Sequence, residues 1–257
     1  MNKVYIPELA DRFESMLIAA RRMIQDRDHH ECANSKDQLR FRYGGAMLFR
    51  SLNLGESIVW AVRQGYGETV AIVARVLTEM AYNLAEAGED FAGFKDYSLH
   101  STQKHRAWLV KLAACELDEK KKAELNGAVS EHKMLLNGQN YRWASKIKDM
   151  ASNAQMQDSY LRDYCAFSEQ IHTSTRTLDY YASETESSIV VNPRISPEMS
   201  EMYFVMAVNQ WLEVVSRLFC GIPLRESEEF DLALESYDQL VQHAVRERTH
   251  EADGGPH

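Results

Sequence analysis

Helix-breaking residues are scarce here: five prolines and twelve glycines are spread over 257 residues. Between them, apolar side chains return every three or four positions. Proline removes a backbone donor and glycine costs conformational entropy, so their rarity favours long helices joined by short connections. The pattern predicts an all-α fold, a single bundle-like domain of eight or nine helices over residues 1–248 with a disordered tail at 249–257. No alternating pattern is long enough for a sheet.

The first helix is expected from Pro7 toward Asp28, with Leu9, Phe13, Leu17, Ala20 and Ile24 as its apolar face. A second runs from Arg42 to Gln64, offering Phe49, Leu52, Ile58 and Val62 for packing, and Gly65-Tyr66-Gly67 stops it. The third, Glu68 to Ala87, places Ile72, Val76, Met80 and Leu84 on one side, and a fourth spans Asp90 to Cys115 with Phe94, Trp108 and Leu112. Residues 118–133 carry too much charge for a core and read as a solvated helix or arm. Asn137-Gly138 is the clearest turn signal. A short helix, Ala144 to Ser152, leads to a long one from Asp158 to Ala182. An irregular loop near 183–197 follows, where Ile189-Val190-Val191 forms either a brief strand or a packed loop. Ser196-Pro197 and Ser227-Glu228-Glu229 are start signals for the last two helices, the second helped by acids at its positive end.

The formal charge of −9 repels nucleic acid and acidic membranes, so neither DNA nor a membrane is an expected partner. No stretch approaches the roughly 18 apolar residues of a membrane span. Met1 to Ala10 has no apolar signal core, and the four cysteines are widely spaced without a C-x-x-C pair. Together these predict a cytoplasmic protein with buried, reduced thiols.

Within the long helix, Tyr160, Tyr164, Ser168, His172 and Arg176 recur every four residues and form one polar, aromatic stripe. Arg75, Glu79 and Tyr82 occupy i, i+4 and i+7 of an earlier helix and offer a partner face. The candidate cluster is therefore Arg75, Glu79, Tyr82, Tyr164, Ser168 and His172. One reading is structural, with Arg75–Glu79 as a salt bridge and His172 as a satisfied core histidine. The other makes Arg75 a clamp for a small anion or RNA, oriented by Glu79, with His172 as acid, base or donor. Ser168 and His172 lack a third group and a nucleophile elbow, which argues against a hydrolase triad.

No cofactor and no metal is expected. Glu169-x-x-His172 has the spacing of helical di-iron sites, but its only counterpart, Glu247 to His250, falls at the tail. His29, His30 and Cys32 read as a helix end. Arg22 and His29 fit the Arg–His spacing of HEPN ribonucleases only loosely. Arg142, Trp143, Lys146 and Lys148 form the best basic–aromatic cluster and read as a solvated helix with Trp143 buried.

Arg75-Val76-Leu77-Thr78-Glu79, then Trp143 through Lys148, then Tyr160 through His172 resemble, in that order, an all-helical bacterial family of unknown function. Its pattern is an R-x-L-x-E helix, a W-x-x-x-x-I segment, and a Y-x-x-x-Y-x-x-x-S-x-x-x-H helix. Ile147 here stands one position early, and the likeness spans roughly residues 40 to 220. The resemblance implies an all-helical fold and singles out Arg75, Glu79, Ser168 and His172. It implies no activity. A fold-level analogy to HEPN-like proteins of bacterial stress and phage defence supplies the enzymatic alternative. The leading expectation is a non-catalytic binding or scaffold protein acting with a protein partner or as a homo-oligomer.

Overall fold

The computed structural model describes residues 5–25, 40–88, 93–144, 146–171, 182–185, 188–191, 194–221 and 227–253. The fold is all-α, with nine helices among the described residues. They are α1 (Ile6–Gln25), α2 (Ala46–Arg63, continuing a π-helical turn Arg40–Gly45), α3 (Gly67–Ala87), α4 (Phe94–Cys115), α5 (Glu119–Leu136) and α6 (Ile147–Asn153). Next comes α7, which joins a turn Gln157–Ser159, a π-helical segment Tyr160–Tyr164 and an α-helical segment Cys165–Ile171; α8 (Pro197–Gly221) and α9 (Glu228–Asp253) complete the set. No described helix is long and apolar enough to cross a membrane.

The start signals act as read. Ser196 Oγ accepts from the Met199 amide at 3.2 Å and Ser227 Oγ from the Phe230 amide at 3.3 Å, each satisfying a donor that the helix leaves open. Gly65, with φ of 74°, turns the chain sharply between α2 and α3, and Gly138, at 71°, does so after α5. Both conformations would strain a side chain.

α3 is the central helix, packed on α8, α2, α6 and α7. Its contact line is made of small residues, Ala71, Ala74, Thr78 and Ala81, all buried beside Leu77. That corrects the expected Ile72 face: Ile72 is exposed, because it lies off the line on which the neighbouring helices pack. Phe49 is likewise exposed rather than packed, whereas Leu52, Ile58 and Val62 are buried. At the core, Trp211 of α8 meets Phe13 of α1 edge-on at 5.2 Å, and its Nε1 donates to the Ser51 carbonyl of α2 at 3.1 Å.

α4 and α5 form an antiparallel arm. Beyond Phe94, α4 buries only Leu109 and Ala113, and α5 buries nothing. Trp108 and Leu112, within the helix expected over Asp90 to Cys115, both lie on the surface of the arm. Cys115 is exposed too, against the expectation of buried thiols, and Cys165 is half-buried.

Two other expectations change. Arg142 and Trp143 precede α6 in an irregular stretch rather than a helix: Asp96 accepts the Arg142 amide at 3.1 Å, and half-buried Trp143 sits edge-on to Tyr97 at 5.1 Å. The helix expected to reach Ala182 is described as far as Ile171, and Ala182 opens a strand instead. Ala182–Thr185 pairs antiparallel with Ser188–Val191, Ala182 opposite Val191. The β-branched run therefore forms a strand, as one of the two readings had it.

Candidate functional site

The polar cluster lies where α3 meets α7. On α3, Arg75, Glu79 and Tyr82 sit on successive turns. Arg75 Nε lies 3.4 Å from Glu79 Oε1, and Arg75 Nη2 donates to Tyr164 Oη at 3.0 Å. That hydroxyl in turn donates to Glu79 Oε1 at 3.3 Å, closing a triangle of three side chains. The guanidinium also lies 5.1 Å from the centre of the Tyr164 ring.

The expected four-residue stripe is bent by the backbone. Tyr160–Tyr164 winds with the wider π-helical hydrogen bonding, so positions four apart there fall side by side. The Tyr160 and Tyr164 rings stack, 5.4 Å apart and within 15° of parallel. Ser168 is on the next α-helical turn. Its Oγ is buried and finds no hydrogen-bond partner among the described residues. His172 and Arg176 lie outside the described residues, as do His29, His30 and Cys32.

A second, deeper network centres on Asp163, which the sequence reading passed over. The carboxylate is 3% exposed. It accepts from Arg162 Nε at 2.7 Å and Nη2 at 3.1 Å, from Gln210 Nε2 of α8 at 2.8 Å, and from Ser159 Oγ at 3.2 Å. Ser159 Oγ in turn accepts from the Tyr82 hydroxyl at 3.4 Å. Tyr82 is fully buried, and that burial pushes its phenol up to about 12. It stays a neutral donor at any physiological pH. The Arg162-Asp163 pair interrupts the apolar sequence around it, and a carboxylate beside the Tyr160–Tyr164 repeat was the available signal.

The charges cancel locally. Arg75 faces Glu79 and Arg162 faces Asp163, so neither guanidinium offers uncompensated positive potential to an anion. Cavities occur elsewhere: one of about 330 Å³ lies between α1 and α2, lined by Ile18, Trp60, Arg21 and Arg63 among others. Arg63 there reaches Asp11 and Glu14, each at 2.7 Å, and Arg21 reaches Glu56 at 2.5 Å. Arg22, proposed from the HEPN spacing, is paired with Glu229. No group of three or more His, Cys, Asp and Glu is placed to hold a metal among the described residues.

Tyr82 also gathers the three separated motifs. Trp143 and Ile147 from the second, and Tyr160 and Tyr164 from the third, pack about Tyr82, Met150 and Ala151. The sequence model of the Family of unknown function (DUF5677) matches residues 41–189, more than half of the chain. The chain belongs to the DUF5677 family. The matched span holds Arg75, Glu79, Tyr82, Asp163, Tyr164, Ser168 and His172, but not Gln210, nor α1, α8 and α9 that complete the core. Neither the curated proteins nor the solved structures include a match.

Proposed function

We propose that this chain is a non-catalytic helical binding protein, in which the α3–α7 cluster locks helix register and recognition takes place on outer surfaces. The observation that carries this reading is the internal pairing of the cluster. Both guanidinia face carboxylates, the Tyr82 phenol is held neutral by burial, and the Asp163 carboxylate accepts from three side chains. Such a network fixes one helix arrangement, and among its described residues each guanidinium is paired with a carboxylate. The exposed apolar side chains of the α4–α5 arm supply a surface suited to a protein partner.

The second reading is an RNA- or nucleotide-directed enzyme of the HEPN type, at home in bacterial stress or phage defence. Its support is the buried Ser168 Oγ, which has no hydrogen-bond partner among the described residues and stands four residues before His172 in sequence. Thermal melts of wild type, Arg75→Ala and His172→Ala, each with nucleotide and RNA panels, separate the two. The binding-protein reading expects Arg75→Ala to melt several degrees lower and no panel member to shift wild type. Ligand stabilisation of wild type that both folded variants lose would sink it in favour of the enzyme.

A further inference from the structure

The α4–α5 arm pairs its helices along one seam. Leu109 and Ala113 of α4 face it, as do half-buried Leu125, Val129 and His132 of α5. His105 Nδ1 lies 3.1 Å from His132 Nε2 and fixes the level of one helix against the other. At about 100° per residue, one flank of that seam carries Ser101, Trp108, Leu112 and Cys115 on α4, and Lys121, Ala128 and Leu135 on α5. The Trp108 ring stacks on His105 at 5.5 Å, which ties it to the same flank. Trp108 is 55% exposed and Leu135 64%. Trp108, Leu112, Ala128 and Leu135 make an apolar stripe over the middle of the arm, ended by Lys121 toward its tip.

The charges at its two edges differ in sign. Exposed Lys104 and Lys111 border the α4 side, and exposed Glu124 and Glu131 border the α5 side. With His105 opposite His132, Lys104 stands about two residues, or about 3 Å, from the level of Glu131, and Lys111 is as close to that of Glu124. A stripe with a basic left edge and an acidic right edge at matched heights is complementary to itself. A two-fold axis parallel to the arm sets Lys104 of each copy against Glu131 of the other, and Lys111 against Glu124. A two-fold axis perpendicular to the arm sets lysine on lysine and glutamate on glutamate.

We propose that the α4–α5 arm is the interface between two copies of this chain, which associate side by side with their arms parallel in a four-helix bundle. The stripe supplies the apolar contact and the edge charges select the orientation. The proposal deepens the binding-protein reading and rests on it, since it names the partner.

The test is sedimentation equilibrium of the full chain at concentrations from about 1 to 100 μM, the range in which a micromolar dimer is resolved. Wild type is expected to be dimeric in the upper part of that range, and Trp108→Ser monomeric throughout. Trp108 is on the surface, so its circular dichroism and melting point should match wild type. Lys104→Glu should weaken the dimer about tenfold, because two rim pairs turn repulsive, and adding Glu131→Lys should restore it. A wild type that stays monomeric, or a dimer indifferent to Trp108→Ser, overturns the interface. A dimer tightened by Lys104→Glu overturns the parallel orientation, because only the perpendicular axis turns that change into an attraction to Lys111. The thermal-melt panel reads the α3–α7 cluster and not the arm, so either reading can fail without the other.

Discussion

Replacing Asp163 by alanine tests whether the deep network, rather than the visible ion pair, holds α7 in place. Arg162 is 74% exposed at its side chain while Asp163 is 4% exposed, so the pair is lopsided. Loss of the carboxylate returns Arg162 to water at little cost. It also strands Gln210, whose side-chain amide is buried and whose Nε2 has no other hydrogen-bond acceptor among the described residues. A buried unsatisfied donor costs about 1–3 kcal/mol, and the lost charge-assisted bonds and small cavity add about 1–2 kcal/mol more. The expected total for Asp163→Ala is about 2–5 kcal/mol, or roughly 4–20 °C in melting point for a chain of this size. Arg162→Ala should cost about 1 kcal/mol, as for a largely solvated pair. Equilibrium urea unfolding measures both, with stability read from the midpoint at constant slope. Equal losses for the two variants, or less than about 1 kcal/mol for Asp163→Ala, would refute the assignment of the network as the lock. A double-mutant cycle with Gln210→Ala should show strong coupling, because both changes break one contact.

Two further outcomes follow from burial. The Tyr82 phenol is raised from 10 to about 12, so its neutral form belongs to the folded state. Its contribution is complete below the unfolded value of about 10 and is lost as pH rises through about 12, and Tyr82→Phe should flatten that alkaline decline in melting point. An unchanged slope between pH 10 and 12 would show that Tyr82 ionises freely. Trp211→Phe should cost about 2–4 kcal/mol, because it opens a cavity beside Phe13 and removes the donor to the Ser51 carbonyl. A urea midpoint within error of wild type would contradict the placement of Trp211 at the centre of the core.

The helices were legible because their signals are local. Proline and serine at the starts, glycine at the stops and apolar residues at helical intervals place α1, α2, α3, α8 and α9 close to their observed bounds. Burial was less legible, since a side chain at a helical interval is equally able to face a second helix or water. Phe49, Ile72, Trp108 and Leu112 had apolar periodicity and no partner helix to cover them. The Arg75–Glu79 pair follows from i, i+4 spacing, whereas Tyr164 joins it only because α3 and α7 cross there, which no local pattern records. Asp163 escaped because its burial depends on Gln210, forty-seven residues further along, and no local pattern records that contact. The hairpin at 182–191 lay beyond a helix read as continuous, where a four-residue period gave no reason to stop.

The π-helical segment at Tyr160–Tyr164 gives α7 a place that can lose a residue without changing what lies after it. A π turn holds one residue more than the α turn it replaces, so it behaves as an insertion absorbed inside a helix. Deleting one residue there would let the segment relax to α geometry and leave the side chains that follow in nearly the same orientation, because the residue removed is the one the wider turn had absorbed. Phe167 would stay in the core and Ser168 near its present place, whereas the same deletion at Cys165 or Ala166, in α geometry, would turn both by about 100°. Deletion of exposed Leu161 should therefore do less harm than a single-codon deletion at Cys165 or Ala166.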